Sequence, residues 1–123
     1  MSKNSVTTHD IGQLTETLAA DYLSQQGLVL IDRNVHSRQG EIDLIMLDDD
    51  CYVFCEVKYR KSSNYGGAIS AISVSKQNKI KQSITFYLHN KGLNEYNTPC
   101  RVDVIALEGD INSPTITWLK NAF

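Results

Sequence analysis

The chain has 123 residues, of which 41% are hydrophobic and 21% are charged, and its formal net charge is −2. These values are typical of a water-soluble globular protein with one hydrophobic core, so we expect a single domain over residues 1–123. No apolar run approaches the roughly 20 residues of a membrane span, and the first residues lack a signal-peptide core. We therefore expect a cytoplasmic protein with no membrane partner.

The first predicted element is a helix over about residues 10–26, which Asp10 can cap and Gly27 can end. Its apolar side chains recur at helical spacing and are Ile11, Leu14, Leu18 and Tyr22. Glu16 lies close to the edge of this stripe. It is either an exposed helix residue or, if the helix packs across the following strands, a side chain that reaches them.

A strand is predicted over residues 28–34, where Val29 and Ile31 alternate with Leu30. Residues 33–40 form a polar connection by composition. This connection, beginning with Arg33, could meet phosphates or could be a plain loop.

Two strand-like runs, residues 41–47 and 51–59, flank an acidic turn and predict a β-hairpin. A two-residue loop at Asp49 and Asp50 places Asp43 opposite Glu56. A three-residue loop would turn Asp43 to the other face, and we expect the first register or a bulge that restores it. One face is then wholly apolar, with Ile42, Leu44, Met46, Val53, Cys55 and Val57. The other carries Ile45, Leu47, Tyr52 and Phe54 and ends in Glu41, Asp43, Glu56 and Lys58.

Charged side chains at the end of a buried hairpin indicate a site, because they are costly to bury unless they are paired or bind a metal. Asp43 and Glu56 would offer two carboxylates to Mg²⁺ or Mn²⁺, with Glu41 and the Val57 backbone carbonyl as further ligands. Lys58 would orient a water molecule or neutralise a phosphorus centre under attack. Together these groups favour phosphodiester hydrolysis over acyl or hydride transfer.

Beyond the hairpin, residues 61–67 form a loop by composition, and a second helix is predicted over about residues 75–90. Lys76 lies in its first turn, where the helix dipole disfavours a cation. That position fits a lysine that faces phosphate or the site carboxylates, although a solvated lysine would bear only a small penalty. A strand over residues 101–107 begins with Arg101 and Asp103, which can pair, and residues 114–119 predict a short edge strand.

Positive charge is concentrated in one part of the chain. No Asp or Glu occurs between Val57 and Asn94, a segment that contains Lys58, Arg60, Lys61, Lys76, Lys79, Lys81 and Lys91. A basic surface beside the hairpin would suit a phosphate backbone, and the candidate contacts are Arg33, Arg60, Lys61, Lys76 and Lys79. The alternative is a solvated basic helix face.

Cysteine and histidine spacings predict no further site. Cys51, Cys55 and Cys100 match no zinc pattern, and we expect buried free thiols. The three histidines, His9, His36 and His89, lie in unrelated contexts, so a histidine metal site is not expected.

Asp43, a hairpin and then Glu56-Val57-Lys58 resemble the core motif of the PD-(D/E)XK, or restriction-endonuclease-like, nucleases. The whole chain resembles, more specifically, the YraN family of small bacterial proteins. The matching segments are Gly12-x-x-x-Glu16-x-x-Ala19-x-x-Tyr22-Leu23, Arg33-Asn34, Gly40-Glu41-Ile42-Asp43-Leu44-Ile45, Phe54-Cys55-Glu56-Val57-Lys58-Tyr59-Arg60, Lys76 and Arg101-Val102-Asp103. Cys55 and Val102 stand where the family pattern has valine and phenylalanine. Both positions are apolar, so the implied site is unaffected.

This resemblance implies an α/β fold with an αβββαβ core and a mixed central sheet flanked by helices. It also implies that Asp43, Glu56 and Lys58 occupy the catalytic positions, with Glu16 as an accessory acid. We therefore expect a Mg²⁺-dependent nuclease acting on DNA, in particular branched or structured DNA. The alternatives are a nucleic-acid-binding module without hydrolytic activity and an adaptor in which Lys58 pairs with Glu56 or Asp43. A homodimer is expected because one small domain covers little DNA.

Overall fold

The computed structural model describes residues 7–62 and 72–123. In chain order the elements are α1 (Thr8–Gln25), β1 (Val29–Ser37), β2 (Gly40–Asp48), β3 (Cys51–Arg60), α2 (Val74–Asn90), β4 (Cys100–Glu108) and β5 (Thr115–Leu119). The predicted α/β class and αβββαβ order are confirmed, with β5 as the predicted edge strand. Most of the predicted loop over residues 61–67 lies outside the described residues. No helix in the described part is long and apolar enough to cross a membrane.

The five strands form one sheet and lie in sequence order from β1 to β5. β3 and β4 pair in parallel because α2 connects them, and all other neighbouring strands are antiparallel. The core between the sheet and α1, here the α1-side core, contains Ala19, Ala20, Leu23, Leu28, Leu44, Met46, Val53, Cys55, Ile105 and Leu107. The α2-side core contains Ile42, Ile45, Phe54, Ile80, Ile84, Tyr87, Leu88 and Val102. The mixed sheet is thus covered by one helix on each face.

Helix α1 begins with a capping box, in which Thr7 and Asp10 each accept a hydrogen bond from the other's backbone N–H. Its buried face consists of Thr15, Ala19, Ala20 and Leu23. The predicted apolar stripe was therefore wrong in its centre: Leu14 is 44% exposed. Small side chains let the helix backbone approach the sheet, and Leu18 and Tyr22 pack at the flank of the α1-side core.

The polar connection predicted over residues 33–40 is also wrong, because β1 continues to Ser37 and turns directly into β2 at Gly40. Its polar side chains have partners on the two helices. Arg33 donates to the Thr17 hydroxyl at 3.1 Å, and the Ser37 hydroxyl lies 3.2 Å from the Ser83 hydroxyl of α2. A polar composition therefore concealed a strand whose side chains are hydrogen-bonded on both faces of the sheet.

The predicted register of the central hairpin is confirmed: Asp48 pairs with Cys51, and the ladder continues to Leu44 and Cys55. The predicted face of Ile42 is wrong, because Ile42 lies in the α2-side core together with Ile45. In a strand with strict alternation, two residues that are three positions apart point to opposite faces of the sheet. Alternation is interrupted between them, where Asn34 of the neighbouring strand has a φ of +54°.

The expectation of buried cysteines holds only for Cys55, since Cys51 and Cys100 are half-buried. All three are free thiols, as predicted.

Candidate active site

The β2–β3 ladder stops one step before Asp43 and Glu56, which would form its next pair. The Val57 N–H instead donates to Oδ2 of Asp43 at 2.8 Å. Because the N–H and C=O of a strand residue lie on the same edge, the Val57 carbonyl also faces the gap between the strands. The end of the ladder thus brings together a carboxylate and a backbone carbonyl.

Glu56 lies on the α2 face of β3 and is 3% exposed. Its carboxylate forms an ion pair with Nζ of Lys76 at 2.8 Å. Lys76 therefore faces a site carboxylate, as its place in the first turn of α2 suggested, and this pair offsets its unfavourable position in the helix dipole. In the part of the chain that the structure describes, Lys58 has no ion pair with Glu56 or Asp43, contrary to what the adaptor hypothesis requires.

The titration behaviour of the site reflects burial and crowded charge. Burial and the negative charge of Glu56 raise the pKa of Asp43 to about 7, although the Val57 N–H opposes the rise. Burial and the neighbouring Lys76 lower the pKa of Lys58. Burial also acts against a charged Lys76, but hydrogen bonds with Glu56 and Lys58 and the negative charge of Glu56 and Asp43 raise its pKa overall.

Glu16 approaches the site from α1, so it is not the exposed helix residue that the sequence left as one alternative. Its side chain is 13% exposed, and Oε1 is buried without a hydrogen-bond partner in the described part of the structure. The nearest cationic group, Nη2 of Arg33, is 3.7 Å away, too far for a hydrogen bond. Burial raises the pKa of Glu16, and the charges of Glu41 and Glu56 add to the rise.

A polar cavity of about 320 Å³ adjoins the site and is lined by His9, Gly12, Gln13, Glu16, Asn34, His36 and Glu41. Nε2 of His36 lies 3.1 Å from Oε2 of Glu41, and the Glu41 residue is exposed. Two histidines that the sequence placed in unrelated contexts thus share one cavity. Nothing in their spacing signals this, because β1 was not expected to extend as far as His36.

Across residues 7–62 and 72–123, no three His, Cys, Asp or Glu side chains converge closely enough to hold a metal ion. The donors at the end of the ladder are nevertheless oxygen atoms, which suit a hard divalent cation. Asp43, Glu56 and the Val57 carbonyl fit such an ion by chemistry, and the unpartnered Oε1 of Glu16 lies nearby. Glu41 fits less well, because its carboxylate contacts His36.

The predicted nucleic-acid contacts lie in three parts of the fold. Lys76 and Lys79 line a cavity of about 280 Å³ between the α2 start and the β1–β2 turn. Arg60 and Lys61 are exposed at the end of β3. Arg33 is held by α1, because it contacts Thr17, the Gln13 carbonyl and Glu16.

A solved structure with a related arrangement is a repair endonuclease from Pyrococcus abyssi. The TM-score is 0.45 at 19% sequence identity, and the match covers 89% of this chain but only 42% of that one. A likeness of this strength carries no argument about activity.

The sequence relatives are much closer. A UPF0102 protein of Colwellia psychrerythraea is 72% identical and covers 99% of this chain and 94% of its own length. UPF0102 proteins of Shewanella baltica and Pseudomonas putida are 46% and 45% identical, with at least 90% of every chain covered. The family model described as "Uncharacterised protein family UPF0102" matches residues 15–107. The chain therefore belongs to UPF0102, the YraN family that its motifs resemble.

Proposed function

We propose that this protein is a metal-dependent nuclease that hydrolyses phosphodiester bonds in DNA. One observation carries the proposal: Asp43 and Glu56 lie next to each other where the β2–β3 ladder ends, and the pKa of Asp43 rises to about 7. Two crowded carboxylates weaken each other's ionised form, and a divalent cation relieves that repulsion. Burying two carboxylates side by side opposes folding, and perturbed pKa values of this kind cluster at functional sites.

The residues divide the work as follows. Asp43, Glu56 and the Val57 carbonyl would hold Mg²⁺ or Mn²⁺, which would supply a more acidic bound water and stabilise charge on the phosphate. Lys58 has a lowered pKa, so its amine can take up and release a proton nearer neutral pH than an ordinary lysine. We assign Lys58 the role of accepting the proton that the attacking water molecule releases.

Lys76 has a second role in this scheme. It neutralises Glu56 in the structure, and metal binding at Glu56 would free its ammonium group to contact the phosphate that is attacked. Glu16, whose Oε1 has no hydrogen-bond partner among the described residues, would accept a hydrogen bond from a water molecule at the edge of the site.

A second candidate function is a nucleic-acid-binding or adaptor domain without hydrolytic activity. The specific observation in its favour is the 2.8 Å ion pair between Lys76 and Glu56, which satisfies a buried carboxylate without any metal. In that case Lys76 would take the part that the sequence assigned to Lys58. The expected homodimer remains a prediction under both functions.

The test is calorimetric titration of Mg²⁺ and Mn²⁺ into the wild type, Asp43→Asn, Glu56→Gln and Lys58→Met. The matched control is Asp50→Asn, which removes an exposed acid from the turn between β2 and β3. The nuclease proposal predicts saturable binding that is lost in the first two variants and kept in Lys58→Met and the control. It also predicts that Lys58→Met binds metal but fails to cleave labelled branched, flapped and single-stranded DNA.

No metal binding at millimolar concentration, even with DNA present, would overturn the nuclease proposal. Equal binding by Asp43→Asn and the wild type would show that the metal site lies elsewhere.

A further inference from the structure

A groove of about 880 Å³ lies on the α1 side of the sheet, at the end of β3, and takes no part in the proposed chemistry. It is lined by Thr8, Ile11, Leu14, Tyr59, Lys61, Asp110, Ile111 and Asn112. Its walls come from the first turns of α1, the end of β3 and the segment between β4 and β5. The groove is therefore formed by three separate parts of the fold.

We propose that this groove binds unpaired nucleobases of a single-stranded part of the substrate. The proposal rests on the nuclease function proposed above and deepens it, because it names the class of nucleic acid that the site takes.

The walls of the groove are apolar and its rim is polar. Ile11, Leu14, Ile111 and the ring of Tyr59 offer an apolar surface, whereas Thr8, Lys61 and Asn112 supply hydrogen-bonding groups at the rim. In a duplex the bases are stacked inside and the phosphates face outward, so an apolar groove has little to bind. An unpaired base presents a flat apolar face and a polar edge, which match these walls and this rim.

The groove is reached at Tyr59, one residue beyond Lys58 in β3. Tyr59 follows Lys58 directly in β3, and alternation places the two side chains on opposite faces of the sheet. The Tyr59 hydroxyl donates to the Gly109 carbonyl at 2.6 Å, which fixes the ring against the segment that follows β4. A nucleic-acid strand that runs from Lys58 to the groove must therefore pass around the end of β3, where Arg60 is exposed.

Two charged residues, Lys61 and Asp110, line the groove. Lys61 belongs to the part of the sequence without acidic residues. Asp110 is the acid on the rim, and its carboxylate accepts a hydrogen bond from the Asn112 N–H at 2.9 Å. The Gly109 N–H donates to the Arg60 carbonyl at 3.0 Å, so Lys61 and Asp110 lie close together where β3 and β4 end. A nucleic-acid backbone that passes this end of the groove would meet the ammonium group of Lys61.

Leu14 provides a variant that leaves the fold intact. It is 44% exposed on α1, so replacing it with serine removes groove surface without opening the core. Phe86 on α2 is 46% exposed, does not line the groove and gives a matched control. Ile111→Ser tests the opposite wall.

The experiment measures fluorescence anisotropy of a labelled short oligothymidylate, an abasic oligomer of equal length and a duplex of equal length. All measurements use EDTA and one fixed salt concentration. The wild type should bind the oligothymidylate more tightly than the abasic chain by about tenfold, within the range that stacking of one or two bases supplies. Leu14→Ser and Ile111→Ser should lose about fivefold or more on the oligothymidylate. Neither should lose affinity for the abasic chain, and Phe86→Ser should behave as the wild type.

Equal affinity of the wild type for the oligothymidylate and the abasic chain would overturn the proposal, as would unchanged binding in both groove variants. A wild type that sediments as a dimer, with Leu14→Ser as a monomer, would show that a second copy occupies the groove. Base-dependent binding without metal-dependent cleavage would refute the nuclease function while leaving the groove assignment intact. Metal-dependent cleavage together with binding that does not depend on bases would refute the groove assignment and leave the nuclease function intact.

Discussion

Two aspartates in the central strands illustrate how differently this fold treats a carboxylate. Asp103 of β4 is fully buried and is surrounded by donors: Nε of Arg101 at 3.1 and 3.3 Å, Nε1 of Trp118 at 2.9 Å and the Asn121 N–H at 2.9 Å. Asp43 of β2 has the Val57 N–H as a donor and the negative charge of Glu56 beside it.

The difference separates a carboxylate that supports the fold from one that is suited to a ligand. Arg101 also contacts Asp48 at 3.1 Å, so one guanidinium group joins β2 to β4 through charge-assisted hydrogen bonds. Within residues 7–62 and 72–123 Asp43 joins no such network, and burial beside Glu56 raises its pKa because the folded chain disfavours its charge. The comparison predicts opposite outcomes when each aspartate is replaced.

The largest expected effect is the loss of stability on removing Asp103. In Asp103→Ala the half-buried Arg101 would keep Asp48 as its ion-pair partner, and the Trp118 N–H would lose its acceptor. Breaking a buried pair from one side costs about 3–5 kcal/mol in free energy of unfolding. Urea denaturation measures this loss directly. A cost below about 1 kcal/mol would show that the two aspartates do not differ in the way proposed.

The next effect concerns activity at Asp43. Asp43→Asn keeps an oxygen that can accept the Val57 N–H but removes the charge that would hold the metal. We expect metal-dependent cleavage to fall by about 100-fold or more, which corresponds to about 2.7 kcal/mol of transition-state stabilisation. Stability at pH 7 should be unchanged or higher, since functional sites are often kept at a cost to stability. Cleavage that survives in Asp43→Asn would contradict the assignment.

The dependence of stability on pH is expected to be smaller. The pKa of Asp43 is raised in the folded state, so between about pH 4 and pH 7 the unfolded chain is ionised while the folded chain still holds the proton. The folded state binds more protons in this window, and its stability therefore falls as pH rises. We expect a loss of about 2 kcal/mol after allowance for solvent screening at this half-buried group.

Denaturation curves across this pH range, compared between the wild type and Asp43→Asn, isolate that contribution. The variant should lack the fall in stability. Parallel curves for the two proteins would show that Asp43 is not the group responsible.

How far the sequence could predict this structure depends on whether the signal was local. The hairpin register followed from the acidic turn and two apolar runs, so the neighbourhood of Asp43 and Glu56 could be derived before the fold was known. The pair of Arg101 with Asp103 could be anticipated from their spacing, but the donors Trp118 and Asn121 come from the segment after β4. Sequence spacing does not show which distant groups meet a strand.

The errors have a related cause. Residues 33–37 looked like a loop because most of them are polar, yet α1 supplies a hydrogen-bond partner for Arg33 and α2 supplies one for Ser37. Leu14 looked like a core residue because helical periodicity identifies a stripe without showing how closely the helix approaches the sheet. The close packing of Ala19 and Ala20 placed Leu14 at the surface, beside the groove that we assign to nucleobases.

The smallest expected effect is stabilisation of the folded protein by the metal. It tests whether Asp43, unlike Asp103, is a ligand-binding carboxylate. With a dissociation constant of about 1 mM, Mg²⁺ at about 10 mM would stabilise the folded protein by about 1.4 kcal/mol, measurable as a rise in Tm. The rise should be present at pH 7.5, where Asp43 is mostly ionised, and much smaller at pH 5, where protons occupy it. Asp43→Asn should show no rise at either pH, whereas the exposed-turn control Asp50→Asn should match the wild type. A rise of equal size at both pH values would mean that Mg²⁺ binds carboxylates with ordinary pKa values. The crowding of Asp43 against Glu56 would then be a feature of the fold, as the Asp103 network is.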